Sequence, residues 1–255
     1  MRRQLAYFLA GLTLTAASGT ATAQSVGEEV ATATVAQNLV RASLPGAQPA
    51  ALSAGQRVAF GAALVTGPLS ANVDRFDDGT TLTLGADAQA TIDQFAYNPA
   101  TNAGEMAVNL SRGLARFVTG RMASSSYNIR TPVSIIGVRG TTFVLSYQAG
   151  VGSTIYVEEG ETSFANIAGQ SVNVPAGFAS TIPDDGGEPS PPAPPSPTQQ
   201  AVVAALNVAV ATVAPPALTV PTVAQSIAAN AAAAEAAAAG EPATSTSDLG
   251  GSGSY

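Results

Sequence analysis

The chain of 255 residues contains no cysteine and no histidine. Its ten basic residues are all arginine, so lysine is missing as well. Without cysteine there is no disulfide, no thiolate metal site and no lipoprotein anchor. Without His, Cys or Lys the usual bases that activate a serine are absent. Zinc sites built on imidazole or thiolate are excluded by the same lack. Carboxylate pairs of the glycosidase kind remain. The candidates Asp77/Asp78 and Glu158/Glu159 are neighbours in sequence, and neighbours on a regular strand point to opposite faces. The sequence therefore assigns no catalytic residue, no cofactor and no metal site, and the chain reads as non-enzymatic.

The N-terminus speaks to compartment. Arg2 and Arg3 precede an apolar run from Leu5 to Leu14, and Ala21-Thr22-Ala23 is an A-x-A site. Residues 1–23 read as a signal peptide cleaved between Ala23 and Gln24. The run is shorter than the roughly 20 apolar residues of a membrane anchor. The arginine pair matches a twin-arginine signal poorly, so general secretion is expected. The mature chain is expected in the periplasm or outside the cell, with no transmembrane helix. Losing Arg2 and Arg3 leaves eight basic residues against 17 acidic ones, a net charge of −9. That balance argues against nucleic acid, whose phosphates need several cationic contacts.

Composition divides what remains. Residues 26–182 are rich in Val, Ile, Thr, Phe and Tyr, punctuated by glycine. Residues 183–198 are a Pro/Ser/Gly stretch that reads as a semi-extended linker. Residues 199–240 are an Ala/Val-rich low-complexity segment, helix-prone around 199–213 and 230–239. They lack the one-sided stripe of a surface helix, and suit a spacer or a segment that docks on a partner. Residues 241–255, rich in Ser, Gly and Thr, read as a disordered tail.

The long first part is predicted to be β throughout. Apolar or alternating runs recur from Val58 through Val174, separated by turn signals such as Asp78-Gly79, Gly85, Gly113, Gly120, Gly160 and Gly169. Spacing of about 8–12 residues points to an all-β roll, solenoid or sandwich. Residues 28–42 carry Thr32, Thr34, Val35 and Val40 and are expected as strand. About 155 residues can bury one core without disulfides.

The stretch from Ile136 to Phe143 stands out. It sets Arg139 between Gly137 and Gly140 and is followed by Thr141 and Phe143. The apolar setting predicts a structural arginine whose stem packs and whose fork is buried against Asp93, Glu105, Glu159 or backbone carbonyls. Its loss would then cost about 3–5 kcal/mol. The exposed alternative is a carboxylate or sugar-acid clamp. Asp78-Gly79 is the dipeptide of a tight hairpin turn. Asp74, Asp77 and Asp78 lack the ligand spacing of a calcium loop. Glu158, Glu159 and Glu161 around Gly160 read as a solvated turn. Tyr97, Tyr127, Tyr147 and Tyr156 serve either packing or a ligand.

Taken in order, these motifs resemble the FecR domain, named for the periplasmic part of an iron-dicitrate transport regulator. The similar segments are Gly55–Val58, Leu64–Gly67, Phe76–Thr80, Leu82–Gly85, Ile92–Pro99, Gly113–Gly120, Thr131-Pro132, Ile136–Phe143 and Val157–Gly160. The resemblance covers about residues 27–182 and implies a short-stranded β-roll or solenoid-like fold, with a β-sandwich as the alternative. It also implies a non-enzymatic module of the cell envelope. Full regulators of the family place a cytoplasmic anti-sigma segment and a membrane helix ahead of the domain. The signal peptide expected here stands in their place, which puts sigma-factor regulation in doubt. The expected function is protein recognition or sensing in the envelope, by edge-strand pairing or a packed face. The alternative is binding of cell-wall glycan, which an exposed aromatic strip would favour.

Overall fold

The computed structural model describes residues 27–197, 199–201, 203, 204 and 206. The expected signal peptide, residues 207–240 and the tail 241–255 lie outside the described residues. Among the described residues fourteen strands form one sheet in which β-branched and aromatic residues alternate with polar ones. The first eight are β1 (Glu29–Gln37), β2 (Val40–Ser43), β3 (Ala50–Ala51), β4 (Arg57–Ala59), β5 (Ala63–Thr66), β6 (Ala71–Phe76), β7 (Thr81–Leu84) and β8 (Gln89–Asn98). Then come β9 (Ala103–Val118), β10 (Tyr127–Arg130), β11 (Ser134–Gln148), β12 (Gly152–Asn166), β13 (Ser171–Pro175) and β14 (Ala179–Ile182). All pairings are antiparallel except β9 with β10. The all-β expectation holds; residues 28–42, expected as one strand, form β1 and most of β2 with a break at Asn38-Leu39, where Asn38 has φ of 59°.

Three long strands explain the shape. In β9 the buried residues are even-numbered up to Leu110 (Met106, Val108, Leu110) and odd-numbered beyond it (Ala115, Phe117). In β11, Ile136 and Val138 give way to Phe143 and Leu145; in β12, Ile155 and Val157 give way to Thr162 and Phe164. A strand has period two, so such a switch needs one extra residue to keep both sets on the core side. Gly113, Gly140 and Gly160, all at positive φ, sit at the three switches. The sequence read Gly113 and Gly160 as turns between short strands. They are bulges inside long ones, because glycine signals both.

The bulged strands pass from one arm of the sheet to the other, as strands do at corners in sheet packing. In the first arm, Leu82, Phe117, Phe143 and Val157 lie in one cross-strand row. In the second, Ile92, Val108, Ile129, Ile136 and Phe164 form another. Both rows belong to one buried cluster. Phe117 stacks on Phe143 with centroids 5.2 Å apart, while Phe76 of the first arm meets Phe95 of the second at 5.4 Å. Each such ring contributes about 1.5–3 kcal/mol by leaving water. The sheet thus rolls back on itself around one core.

Candidate functional site

The sequence motifs converge at the corner where β6 turns into β7, β9 ends and β11 and β12 bulge. Asp78 and Gly79 do form the β6–β7 turn: Gly79 has φ of 91°, and the Phe76 N–H donates to the Thr80 carbonyl at 2.8 Å. Yet Asp78 is fully buried rather than solvated. Its Oδ1 accepts from the Thr80 N–H at 2.9 Å; its Oδ2 accepts from the Thr80 hydroxyl at 2.6 Å and the Tyr127 hydroxyl at 2.8 Å. The Gly120 N–H donates to the Tyr127 oxygen at 3.0 Å and to Thr80 Oγ1 at 3.1 Å. A Cβ on Gly120 would stand 2.5 Å from the Thr80 nitrogen. Burial pushes the Tyr127 phenol up to about 12; the Thr80 bond opposes the shift and Asp78 adds to it. This carboxylate is held by neutral donors, which suits a structural lock.

One step along the corner, Thr119 and Thr141 exchange bonds: the Thr141 N–H donates to Thr119 Oγ1 at 3.0 Å, and the Thr119 N–H to the Thr141 carbonyl at 3.2 Å. At the facing bulge, a Cβ on Gly160 would lie 2.6 Å from the Gly140 oxygen and 2.5 Å from Thr141 Cγ2. Gly140 and Thr141 thus meet the Gly160 bulge, Phe143 is fully buried, and Gly137 is an ordinary strand position opposite Ser163.

Arg139 overturns the buried-clamp expectation. Its side chain is 77% exposed, and its one ion pair among the described residues is with Glu161 at 4.0 Å. Strand alternation is the reason: Val138 faces the core, so Arg139 faces water. The partners anticipated for it are engaged elsewhere or free in solvent. Asp93 feels Arg130, Glu105 accepts from Gln94 at 2.5 Å, and Glu159 is exposed. Nor are the glutamates around Gly160 one solvated turn. Glu158 is half-buried and pairs with Arg116 at 2.6 Å across the outer face of the first arm.

The three aspartates near Gly79 go three ways, so they gather no cation site. Asp77 takes a two-pronged bond from Arg57, at 2.9 and 3.0 Å. Asp74 lies fully buried among Leu82 and Leu84, with the Asn72 amide donating at 2.5 Å. Burial lifts its carboxyl to about 7, against the Asn72 bond. Among the described residues no cluster of three acidic side chains could hold a metal. Of the four tyrosines, Tyr127 and Tyr147 are buried, Tyr97 packs on the core, and Tyr156 lines a gap beneath Val203.

Composition gave no hint that residues 183–197 are fastened to the domain. Asp184 accepts from the Gly150 N–H at 2.7 Å and the Tyr147 hydroxyl at 2.8 Å, which hold its carboxyl below the usual value. Asn166 donates to the carbonyls of Gly186 and Gly187 at 3.0 and 3.1 Å. Ser190 and Ala193 then pair with the outer edge of β14. Pro197, Gln199, Gln200, Ala201, Val203, Ala204 and Leu206 are helical, and Leu206 is buried.

No curated protein matches the chain. Two crystal structures from Parabacteroides distasonis ATCC 8503, each titled provisionally as an anti-sigma factor, resemble it at 16% identity. One, at 2.50 Å resolution, has a TM-score of 0.45 and the other, at 1.65 Å, of 0.44. The similarity covers 56% of this chain and 62% and 63% of theirs. A family model also matches, over a segment that contains the whole motif corner. Residues 62–163 match the family described as FecR protein, the family that the ordered motifs resemble.

Proposed function

We propose that the protein is a non-enzymatic, exported recognition module of the cell envelope that captures a protein partner along the open edge of β13. The FecR match supports a sensing or regulatory role in the envelope. The observation that carries the partner class is the edge itself. Among the described residues Ser171–Pro175 pairs with β12 on one side only, and the segment Ser-Val-Asn-Val-Pro bears no charge. Unpaired edges are ordinarily guarded by charge, cover or proline; β13 has Pro175 only at its end, which leaves Ser171 to Val174 free to add a partner strand. The glycan reading draws less support, because none of the four tyrosines stands exposed as part of a strip. Among the described residues no helix is long and apolar enough to cross a membrane.

The test is affinity capture from solubilised envelopes with wild type and a Ser171→Lys/Asn173→Lys pair. Both positions are exposed, so the fold tolerates the change. One protein partner, lost with the lysine pair, supports the reading. A partner retained by the variant, or recovery of wall glycan alone, overturns it. N-terminal sequencing of the envelope-associated protein checks export, with Gln24 expected first.

A further inference from the structure

Among the described residues four non-glycine residues stand at positive φ: Asn38, Leu69, Asp87 and Asn102. Asn and Asp enter that region with the help of local side-chain bonds, whereas a leucine there only crowds its own Cβ. Leu69, at φ of 54°, is also 85% exposed, so it buries little to offset the strain. It is the third residue of a turn closed by the Ser70 N–H, which donates to the Gly67 carbonyl at 3.3 Å. Pro68 in second place and a positive φ in third make the type II pattern, whose third seat goes to glycine or asparagine. Here that seat holds a large aliphatic side chain turned to solvent, and strain of this kind points to a use.

A second turn holds it in place. Gln37 of β1 pairs with Ala71 of β6, and Val40 of β2 with Thr66 of β5, so Asn38-Leu39 lies beside Gly67–Ser70. The Asn38 amide donates to the Leu69 carbonyl at 2.5 Å, the Leu39 N–H to Ser70 Oγ at 3.0 Å, and the Gly67 N–H to the Leu39 carbonyl at 2.9 Å. Ser70 Oγ donates in turn to the Pro68 carbonyl at 3.1 Å, and the Asp87 N–H to the Gly67 carbonyl at 3.1 Å. Leu39 lies against Gly67, where an added Cβ would stand 2.8 Å from its Cδ2, and is itself 46% exposed. The two turns make a stapled prong with two leucines outside and the carbonyls of Leu39, Gly67, Pro68 and Leu69 all bonded. Behind it, Arg41, Val65, Gln89 and Arg112 form one cross-strand row. Arg41 and Arg112 are exposed and make no ion pair among the described residues. Arg112 Nε donates to the carbonyl of Asp87, the exposed acid beside the row, at 3.0 Å.

An apolar tip that satisfies its own carbonyls suits a medium without hydrogen-bond partners. A protein pocket can offer donors and acceptors to an entering turn; lipid cannot, and each group left unpaired there is costly. The tip is convex and aliphatic, which fits insertion between acyl chains rather than a flat contact. Arg41 trails Leu39 by two residues, about 6–7 Å of strand. That spacing lies within the roughly 5–10 Å by which interfacial apolar groups sit below the headgroups. We propose that the Leu39–Leu69 prong is a membrane-surface docking site whose partner is a phospholipid bilayer. The two leucines enter the acyl boundary, and Arg41 and Arg112 meet headgroup phosphates. The chain as a whole carries −7, so this arginine row also selects which end approaches the phosphates. Two leucines give a weak, reversible attachment. The prong is separate from the β13 edge, and its test reads out whether or not that edge has a protein partner.

Flotation with vesicles of equal parts phosphatidylcholine and phosphatidylglycerol tests it, with the protein as purified from the envelope. Wild type should float with the vesicles. Leu69→Asn relieves the positive φ and keeps the turn, so it should melt no lower than wild type. Its partitioning should nevertheless fall by about tenfold, the factor that burial of one leucine side chain supplies. Ile167→Asn removes a side chain that is 66% exposed, from the turn between β12 and β13, and should float like wild type. The chain has no tryptophan, so Leu39→Trp supplies a single reporter. Its emission should shift to the blue on vesicles and be quenched by lipids brominated in their acyl chains. Wild type left unbound by the vesicles would overturn the proposal, as would undiminished binding by Leu69→Asn. An equal loss in Ile167→Asn would overturn it as general stickiness, and so would a Leu39→Trp emission that vesicles leave unchanged.

Discussion

The motif corner and the outer rim of the sheet obey different rules. At the corner, both carboxylate oxygens of Asp78 are satisfied by donors from its own turn and from Tyr127, 49 residues away. At the rim, among the described residues, β13 offers a free ladder side and β14 is met by two residues of a proline-rich segment. The recognisable motifs lie where hydrogen bonds are dense, and the edge proposed for a partner lies where, among the described residues, they are sparse. Buried, satisfied polar groups make a unique structure; open backbone edges make contacts.

The largest effect expected from breaking the corner is that of Asp78→Ala. It strands the Thr80 N–H and leaves the Thr80 and Tyr127 hydroxyls, 3.3 Å apart, with one donor too many between them, and should cost about 3 kcal/mol in urea unfolding. A cost below about 1 kcal/mol would remove the corner's claim to be a lock.

Asp74 sharpens the comparison from inside the same strand. It is as buried as Asp78, but its Oδ1 and the Asn72 Oδ1 have no partner. With its folded pKa raised to about 7, the native state binds a proton that the unfolded chain releases near its ordinary value of 3.8. The resulting stability is fully present below that value and is lost as pH rises through about 7. Melting temperature should therefore fall across this window in wild type and hardly change in Asp74→Asn. Above the window the variant should be the more stable, by something on the order of 2–4 kcal/mol. A wild-type melting curve that is flat from pH 4 to 8 would count against a charged carboxylate in the core.

The smallest effect expected is that of Arg139→Ala. An exposed side chain with one long ion pair should change stability by no more than about 0.5 kcal/mol. A loss of several kcal/mol would mean that the arginine is buried after all.

Much of the fold was legible because period-two alternation survives in the sequence; even the parity switches between Val138 and Phe143 or Val157 and Thr162 are written there. They were misread because a glycine at positive φ serves equally as a turn and as a bulge. Arg139 was misjudged by averaging its apolar neighbours instead of alternating them, since Val138 inside requires Arg139 outside. The partnership of Asp78 with Tyr127 was not legible, because nothing local pairs residues 49 apart. Nor was the fastening of residues 183–197 to the domain. A proline-rich composition describes a chain without a ladder, and Ser190 and Ala193 gain theirs only from β14.

The division between scaffold and rim is tested most directly by placing a photo-crosslinking amino acid at position 139 or at position 173, both exposed, in intact envelopes. The account predicts capture of one protein partner from position 173 and none from position 139. Capture from 139 alone would contradict it, and would return recognition to the motif arginine.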